Sequence, residues 1–200
     1  MKVVCLSDTH CRHSQISVPN GDLLIHAGDI SNGAERDIRD FLAWFTALPH
    51  LHKILVAGNM DFDLEKNFEV YADDLEDIVY LENDSAVIEE YMLYGSPVVP
   101  NFIGVFNRNR GEEIKKYWDR IPDDVDILIT HGPPLGILDE TSLGHHVGCQ
   151  DLLNSLSRVR PRLHLFGHIH ESYGVLERDG TTFVNASFGN GNSPVVVNLD

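Results

Sequence analysis

KVVCLSDTH, at residues 2–10, opens on a short apolar run and closes on a carboxylate and an imidazole two positions apart. Lys2–Leu6 reads as a buried strand, and if the chain stays extended beyond it, Asp8 and His10 point to the same side and can hold one cation between them. The arrangement recurs along the chain. Leu23–His26 is followed by Gly28-Asp29, His52–Val56 by Gly58-Asn59-Met60-Asp61, Val125–Thr130 by His131-Gly132-Pro133-Pro134, and Arg162–Phe166 by Gly167-His168-Ile169-His170. Taken singly, an Asp after a strand is a turn former or helix cap, and a His is a hydrogen-bonded core or surface residue. Turn chemistry does not demand Asp, Asn and His at the same strand-end position in all five places, so the five clusters read as one site.

The segments between them set the fold. Ala34–Leu48 is an amphipathic helix with Ile38, Phe41, Leu42 and Phe45 on one face, giving β-α-β order to the first third of the chain. The short runs from Ile78 to Ser96 read as hairpin-like pairing, and Arg110–Arg120 and Cys149–Val159 as further helices. SYGVLE (172–177), TTFVNAS (181–187) and PVVVNL (194–199) read as an antiparallel tail, with Asp179-Gly180 as a hairpin turn. The expectation is one α/β domain over residues 1–200, a four-layer α-β-β-α sandwich of two stacked mixed sheets flanked by helices.

Composition excludes several classes. With 42 % hydrophobic and 23 % charged residues the chain has an ordinary globular balance rather than that of a disordered or fibrous one. Its 15 Lys and Arg against 31 Asp and Glu leave a net charge of −16, which repels polyanions and disfavours a nucleic-acid polymer as partner. No apolar run approaches the roughly 18–20 residues that span a bilayer, and no leader precedes the first strand, so a soluble cytoplasmic protein without a membrane partner is expected. Cys5, Cys11 and Cys149 lack CxxC spacing, which argues for reduced thiols and against a disulfide framework or a thiolate metal site.

Oxygen and imidazole donors without thiolates suit hard or borderline divalent cations. A carboxylate bridging two such ions, about 3.5–4 Å apart, equips a site to polarise phosphate oxygens and activate a water, and phosphoester hydrolysis is the natural use.

In order and spacing, the five blocks resemble the calcineurin-like metallophosphoesterase superfamily, over nearly the whole chain. THGPPLGILD (130–139), VGCQDLL (147–153) and RPRLHLFGHIHESYG (160–174) resemble more narrowly its metallophosphoesterase-domain-containing branch, which is associated with phosphodiesterase activity, including on cyclic nucleotides. The resemblance implies that Asp8, His10 and His170 hold one metal ion, that Asn59, His131 and His168 hold a second, and that Asp29 bridges them. It further implies in-line attack of a metal-bridging hydroxide on small phosphodiesters, with catalysis turning on Asp29, Asn59 and His131. The two ions would be Mn, Fe, Zn or Ni. A phosphomonoesterase or nucleoside-polyphosphate hydrolase is the alternative within the same chemistry.

One position departs from the pattern. The family carries Gly-Asn-His where this chain has Gly58-Asn59-Met60, and that histidine contacts phosphate and protonates the leaving group. A thioether cannot donate a proton, and losing general-acid help costs about 10²–10⁴-fold in rate. Either leaving groups that need no proton are preferred, or another side chain substitutes, or a metal-binding interaction scaffold remains. Candidate substitutes and substrate contacts are Arg12, His13, His145 and His146, together with Asn107 and the aromatic residues Phe102 and Phe106 of the segment Gly95–Arg110. Asp61 and Asp63 are candidates to support the metal ligands from behind.

Overall fold

Successive side chains of a strand point to opposite faces, and in the first strand both sets are buried and apolar. In the computed structural model, which describes residues 1–200, Val3 and Cys5 of β1 (Lys2–Leu6) face a core between two sheets, while Val4 and Leu6 face a layer of helix. Strands covered on both faces read as unbroken apolar runs, which is why these stretches stand out in the sequence.

In chain order the remaining strands are β2 (Leu23–His26), β3 (His52–Leu55), β4 (Val79–Tyr80), β5 (Asp84–Ile88), β6 (Tyr91–Ser96), β7 (Val99–Pro100), β8 (Asn107–Arg108), β9 (Ile127–Thr130), β10 (Leu163–Phe166), β11 (Gly174–Arg178), β12 (Thr181–Asn185) and β13 (Val195–Asn198). The helices are α1 (Glu35–Thr46), α2 (Phe62–Asn67), α3 (Glu112–Trp118) and α4 (Gln150–Val159). One sheet runs β13-β1-β2-β3-β4 and the other β11-β12-β10-β9-β6-β5, with a separate β7-β8 pair. Both sheets are mixed: antiparallel β13 edges the first, and antiparallel β11 and β5 edge the second. Ile38, Phe41, Leu42 and Phe45 of α1 pack on the outer face of the first sheet, while Ile114 and Trp118 of α3 and Leu152, Leu156 and Val159 of α4 cover the second. The α-β-β-α order of layers is the one expected.

Register places the strand ends level. Leu6 pairs with His26 and His26 with Leu55 in the first sheet, and Leu165 pairs with Ile129 in the second. The loops after β1, β2, β3, β9 and β10 therefore leave from one edge of the sandwich, the carboxyl edge of parallel strands where open α/β sheets bind ligands.

Two expectations need correction. The tail is only partly antiparallel: β11 and β12 form the expected hairpin, but the turn at Asp179-Gly180 returns β12 parallel to β10, and β13 crosses to pair with β1. The run at Ile78 does not pair with the hairpin that follows; β4 lies parallel to β3 in the first sheet, and the chain then crosses to the second, where β5 and β6 pair. Helix α2, which the sequence does not predict, buries a single residue, Leu64, and so shows no apolar period. No helix is long and apolar enough to cross a membrane.

Phe41 is fully buried, stacks on Phe45 at 5.2 Å and meets the edge of His26 at 4.9 Å between ring centroids. Phe41→Ala is expected to destabilise the fold by about 3–5 kcal/mol. A urea midpoint unchanged from that of the parent would contradict this placement of α1.

Candidate metal centre

The sequence expectation of an extended Asp8-Thr9-His10 is not what brings these residues together. The chain leaves the strand after β1 and turns through left-handed backbone at Asp8 (φ 55°), His10 (φ 42°) and Cys11 (φ 62°); Asp29 (φ 57°) and His168 (φ 69°) do the same after β2 and β10. Such conformations cost about 1–3 kcal/mol each and persist only where the surroundings impose them. Here they turn side chains into the gap between the two sheets, and they send His168 and His170 to different clusters.

Asp8, His10 and His170 offer ligand atoms within 4.8 Å of one another, and so do Asp29, His131 and His168. Asp29 lies between the two sets: Oδ2 is 3.6 Å from Nε2 of His10 and Oδ1 is 3.4 Å from Nε2 of His131. Asn59 joins the second set, with its Oδ1 2.9 Å from that same His131 nitrogen. Its Nδ2 donates to the Ile103 carbonyl at 3.0 Å, which turns the amide oxygen toward the cluster.

Neighbouring groups fix these side chains. His131 donates Nδ1–H to the Ala27 carbonyl at 2.9 Å across the two sheets, leaving Nε2 for the site. Asp8 accepts the His168 backbone N–H at 2.9 Å on Oδ2, another bond between sheets, and Asp29 accepts the Met60 N–H at 2.7 Å. Buried His26 accepts the Gly28 N–H on Nδ1, so Nε2–H donates to Thr9 Oγ1 at 3.2 Å and links the first two loops. Close approach explains two glycines: a Cβ on Gly58 would lie 2.2 Å from Asp29 Oδ1, and one on Gly167 would lie 2.0 Å from Asp8 Oδ2.

Beneath Asp29 sits Asp61, fully buried. It accepts five hydrogen bonds, from the N–H groups of Asp29, Ile30, Ser31 and Gly58 and from the Ser31 hydroxyl. Burial first, and the Asp29 charge second, push its carboxyl up to about 7, against the Gly58 and Ser31 hydrogen bonds that favour the anion. The sequence placed Asp61 among supporting candidates but not as the joint between two loops; Asp63 bonds instead to Tyr71 and Asn67 in the helical layer.

The donor set fits cations. Asp8 Oδ1 is buried without a hydrogen-bond partner and points toward His170 Nε2 at 3.4 Å. Burial alone would raise the Asp8 carboxyl, yet His170 beside it and the charges of His131 and His10 hold it well below the carboxylate range. Burial would lower His131, but Asp29 and Asp8 lift it to about 9; burial and then the His131 charge take His168 down to about 4. The proton that Asp29 and Asp8 favour on His131 would have to leave Nε2 before that nitrogen could hold a divalent ion.

The outlying candidates disperse. Arg12 stands beside the first cluster: its guanidinium lies 5.4 Å over the Phe188 ring and donates to the carbonyl of Gly189, whose backbone abuts the His170 ring. His13 is buried against Phe41 and Trp44 with Asp40 at 3.2 Å, within the helical layer. Asn107 uses both ends of its amide inside its own loop, on Phe102 N–H and the Gly104 carbonyl. Phe106 is core, whereas Phe102 is exposed and edge-on to His168 at 6.2 Å. His145 is exposed, and His146 is held by Asp139. A cavity of about 260 Å³ opens beside His168, lined among others by Phe102, Arg110, Pro133, Thr141 and Val147. A larger one of about 550 Å³, against α4, touches neither cluster.

Two outcomes are expected. Asp61→Ala leaves four buried backbone donors unpaired at roughly 1–3 kcal/mol each, so denaturant unfolding should show a loss of at least about 3 kcal/mol; a fold as stable as the parent would refute the joint. Because cation binding must displace the His131 proton, affinity for Mn²⁺ should rise with pH up to about 9, by about tenfold per unit for one proton. Calorimetry showing pH-independent affinity between pH 6 and 8 would count against it.

Residues 1–172 match the calcineurin-like phosphoesterase family. The human metallophosphoesterase domain-containing protein 1 is 41 % identical over 230 aligned residues, covering 99 % of this chain and 71 % of that protein. Among solved structures, phosphopantetheinyl hydrolase (PptH) of Mycobacterium tuberculosis shares the fold with a TM-score of 0.66 at 15 % identity, over 93 % of this chain and 88 % of that one. TT1561 of Thermus thermophilus does so with a TM-score of 0.61 at 13 % identity, over 92 % and 88 %. The blocks after β1, β2, β3, β9 and β10 all fall inside the matched residues, and the chain belongs to the calcineurin-like phosphoesterase family.

Proposed function

We propose that the protein is a binuclear metal-dependent phosphoesterase whose substrates are small phosphodiesters. The observation that carries this reading is the position of Asp29, with one carboxylate oxygen toward His10 and the other toward His131. Asp8, His10 and His170 hold one ion and Asn59, His131 and His168 the other, with Asp29 between them. Two divalent ions held there would supply Lewis-acid polarisation of the phosphoryl oxygens and a water with a pKa in the neutral range. The chain's own contribution is to fix the ligands: Ala27 sets the His131 tautomer, Ile103 turns the Asn59 amide, and Asp61 holds the backbone on which Asp29 stands. Imidazole, carboxylate and amide donors discriminate weakly, so Mn, Fe, Zn or Ni fits.

Charge supports a small substrate. The net −16 repels long polyanions, while a bound ion pair gives the site a local positive field for one phosphoryl group. The Arg12 guanidinium beside the first cluster adds to that field. Three free cysteines agree with a reducing, cytoplasmic compartment.

With Mn²⁺ supplied, bis-p-nitrophenyl phosphate should turn over faster than p-nitrophenyl phosphate, and 2′,3′-cyclic nucleotides should be cleaved. Faster monoester turnover would favour a phosphomonoesterase; no turnover of any of them by fully loaded protein would favour the scaffold that Met60 permits. Asp29→Ala should lower the metal content below two ions per chain and turnover by more than about 10²-fold. Two-ion occupancy retained in that variant, read by elemental analysis, would remove Asp29 from the bridging role.

A further inference from the structure

Met60 leaves the proposed reaction without its proton donor, and the loop between β9 and α4 holds a group suited to supply one. Asp139 is fully buried there. Its Oδ2 accepts the backbone N–H groups of Gly136 and Gly148, both at 2.9 Å, and its Oδ1 lies 2.7 Å from Nδ1 of His146. A buried carboxylate carries a desolvation cost of several kcal/mol unless it is paired and hydrogen-bonded. This one is committed to a single imidazole whose side chain is 53 % exposed. Since Nδ1–H donates inward to a carboxylate, Nε2, which bonds to no other group of the protein, faces away from Asp139.

The loop is rigid and fastened to the metal centre. Thr141 N–H meets the His145 carbonyl at 2.9 Å and Val147 N–H meets the Asp139 carbonyl at 3.2 Å, closing its two arms. Arg110 clamps the Val147 and Gly148 carbonyls at 2.7 and 2.8 Å. Ser172, two residues beyond His170, donates to the Glu140 carbonyl at 2.7 Å, and Glu140 bridges to His146 across the loop. Asn185 ties the carbonyl of Leu138 to that of Ile169, which stands between His168 and His170. Thr141, Val147 and Gly148 line the cavity beside His168. The loop that carries the dyad thus forms part of the cavity wall through the residues on either side of His146, and it is joined by hydrogen bonds to the loop bearing two of the metal ligands.

We propose that Asp139 and His146 form a proton-donating dyad that replaces the histidine missing at position 60. As the bond from phosphorus to the leaving oxygen breaks and the oxygen of a water bonds to phosphorus, giving up one proton to solvent, the Nε2 proton of His146 passes to the departing oxygen. Solvent then returns a proton to the imidazole. This rests on the phosphoesterase reading. The hydrogen bond His146 donates to Asp139 and then the Asp139 charge raise the His146 pKa, with desolvation opposing them and Glu140 adding to them. The remaining nearby cation, Arg110, is engaged on the two carbonyls. His146 is therefore protonated over a wider pH range than an isolated histidine.

A general acid matters most when the leaving group is poor, and this separates catalysis from a merely structural staple. With Mn²⁺-loaded enzyme and methyl aryl phosphodiesters, His146→Gln should lower kcat for the phenol ester by about 10²-fold and that for the p-nitrophenol ester by less than about threefold. It should also remove the alkaline limb of the pH profile, with metal content by elemental analysis unchanged. Asp139→Asn should move that limb to lower pH, and the His146 ring titration followed by NMR should shift with it. Met60→His placed in the His146→Gln background should restore turnover of the phenol ester, which repair of a staple could not do. Equal losses on both esters, or an unaltered alkaline limb with no rescue, would overturn the dyad while leaving the phosphoesterase reading intact. Parent enzyme inert on every ester would overturn both.

Discussion

Five hydrogen bonds to one buried carboxylate hold the centre in shape. Asp61 lies three residues after Gly58 and accepts from N–H groups of both the loop that follows β2 and the loop that follows β3. The loop after β2 also accepts backbone hydrogen bonds from Asp8, His10 and Cys11, but the left-handed turn at Asp29 would be unfavourable alone. Donors converging on a single anion supply what the strand ladder no longer does, and they do so where burial makes each unpaired N–H costly. With its backbone fixed and Oδ1 held by the Met60 N–H, Asp29 presents one oxygen to His10 and the other to His131.

The sandwich supplies the other half of the constraint. The side chains of β1, β2, β9 and β10 that face inward form one continuous apolar core, which locks the two sheets together. Where that core ends, the sheets are joined by polar bonds, among them His131 to the Ala27 carbonyl and the His168 N–H to Asp8. Each of these uses a prospective metal ligand to tie one sheet to the other. Ligand geometry and sheet packing are therefore coupled, and the missing Cβ atoms at Gly58 and Gly167 let the loops approach within a carboxylate's reach.

The strand ends were legible because doubly covered strands leave apolar runs, and a run followed at once by Asp, Asn or His is conspicuous. All five loops accordingly lie where the sequence places them. What the sequence withheld depends on direction rather than identity. A period of two predicts that Asp8 and His10 converge through extended backbone, whereas three left-handed residues do it; nothing in Asp-Thr-His marks the difference. The same holds for β12, whose Thr-Thr-Phe-Val-Asn pattern is equally suited to either partner direction and becomes parallel to β10 only because β11 precedes it. His145 and His146 were indistinguishable as neighbours in a loop. The choice between them rests on Asp139, whose burial is a tertiary fact.

Position 60 shows how far architecture and proton chemistry separate in this fold. The backbone of Met60 does the structural work of the position: its N–H binds Asp29 at 2.7 Å and its carbonyl receives the Ser31 hydroxyl. Neither bond involves the side chain, so the exchange of an imidazole for a thioether leaves the bridging carboxylate and the Asp61 joint in place. The ligands are held by buried, mutually dependent bonds and tolerate little change, whereas a proton donor needs only an exposed ring within reach of the departing oxygen and a partner to orient it. In the proposed dyad that ring is carried by a loop anchored to the His168–His170 segment and clamped by Arg110, so supplying it disturbs no strand. The acid is thus the part of such a centre that can move in sequence while the ligands stay.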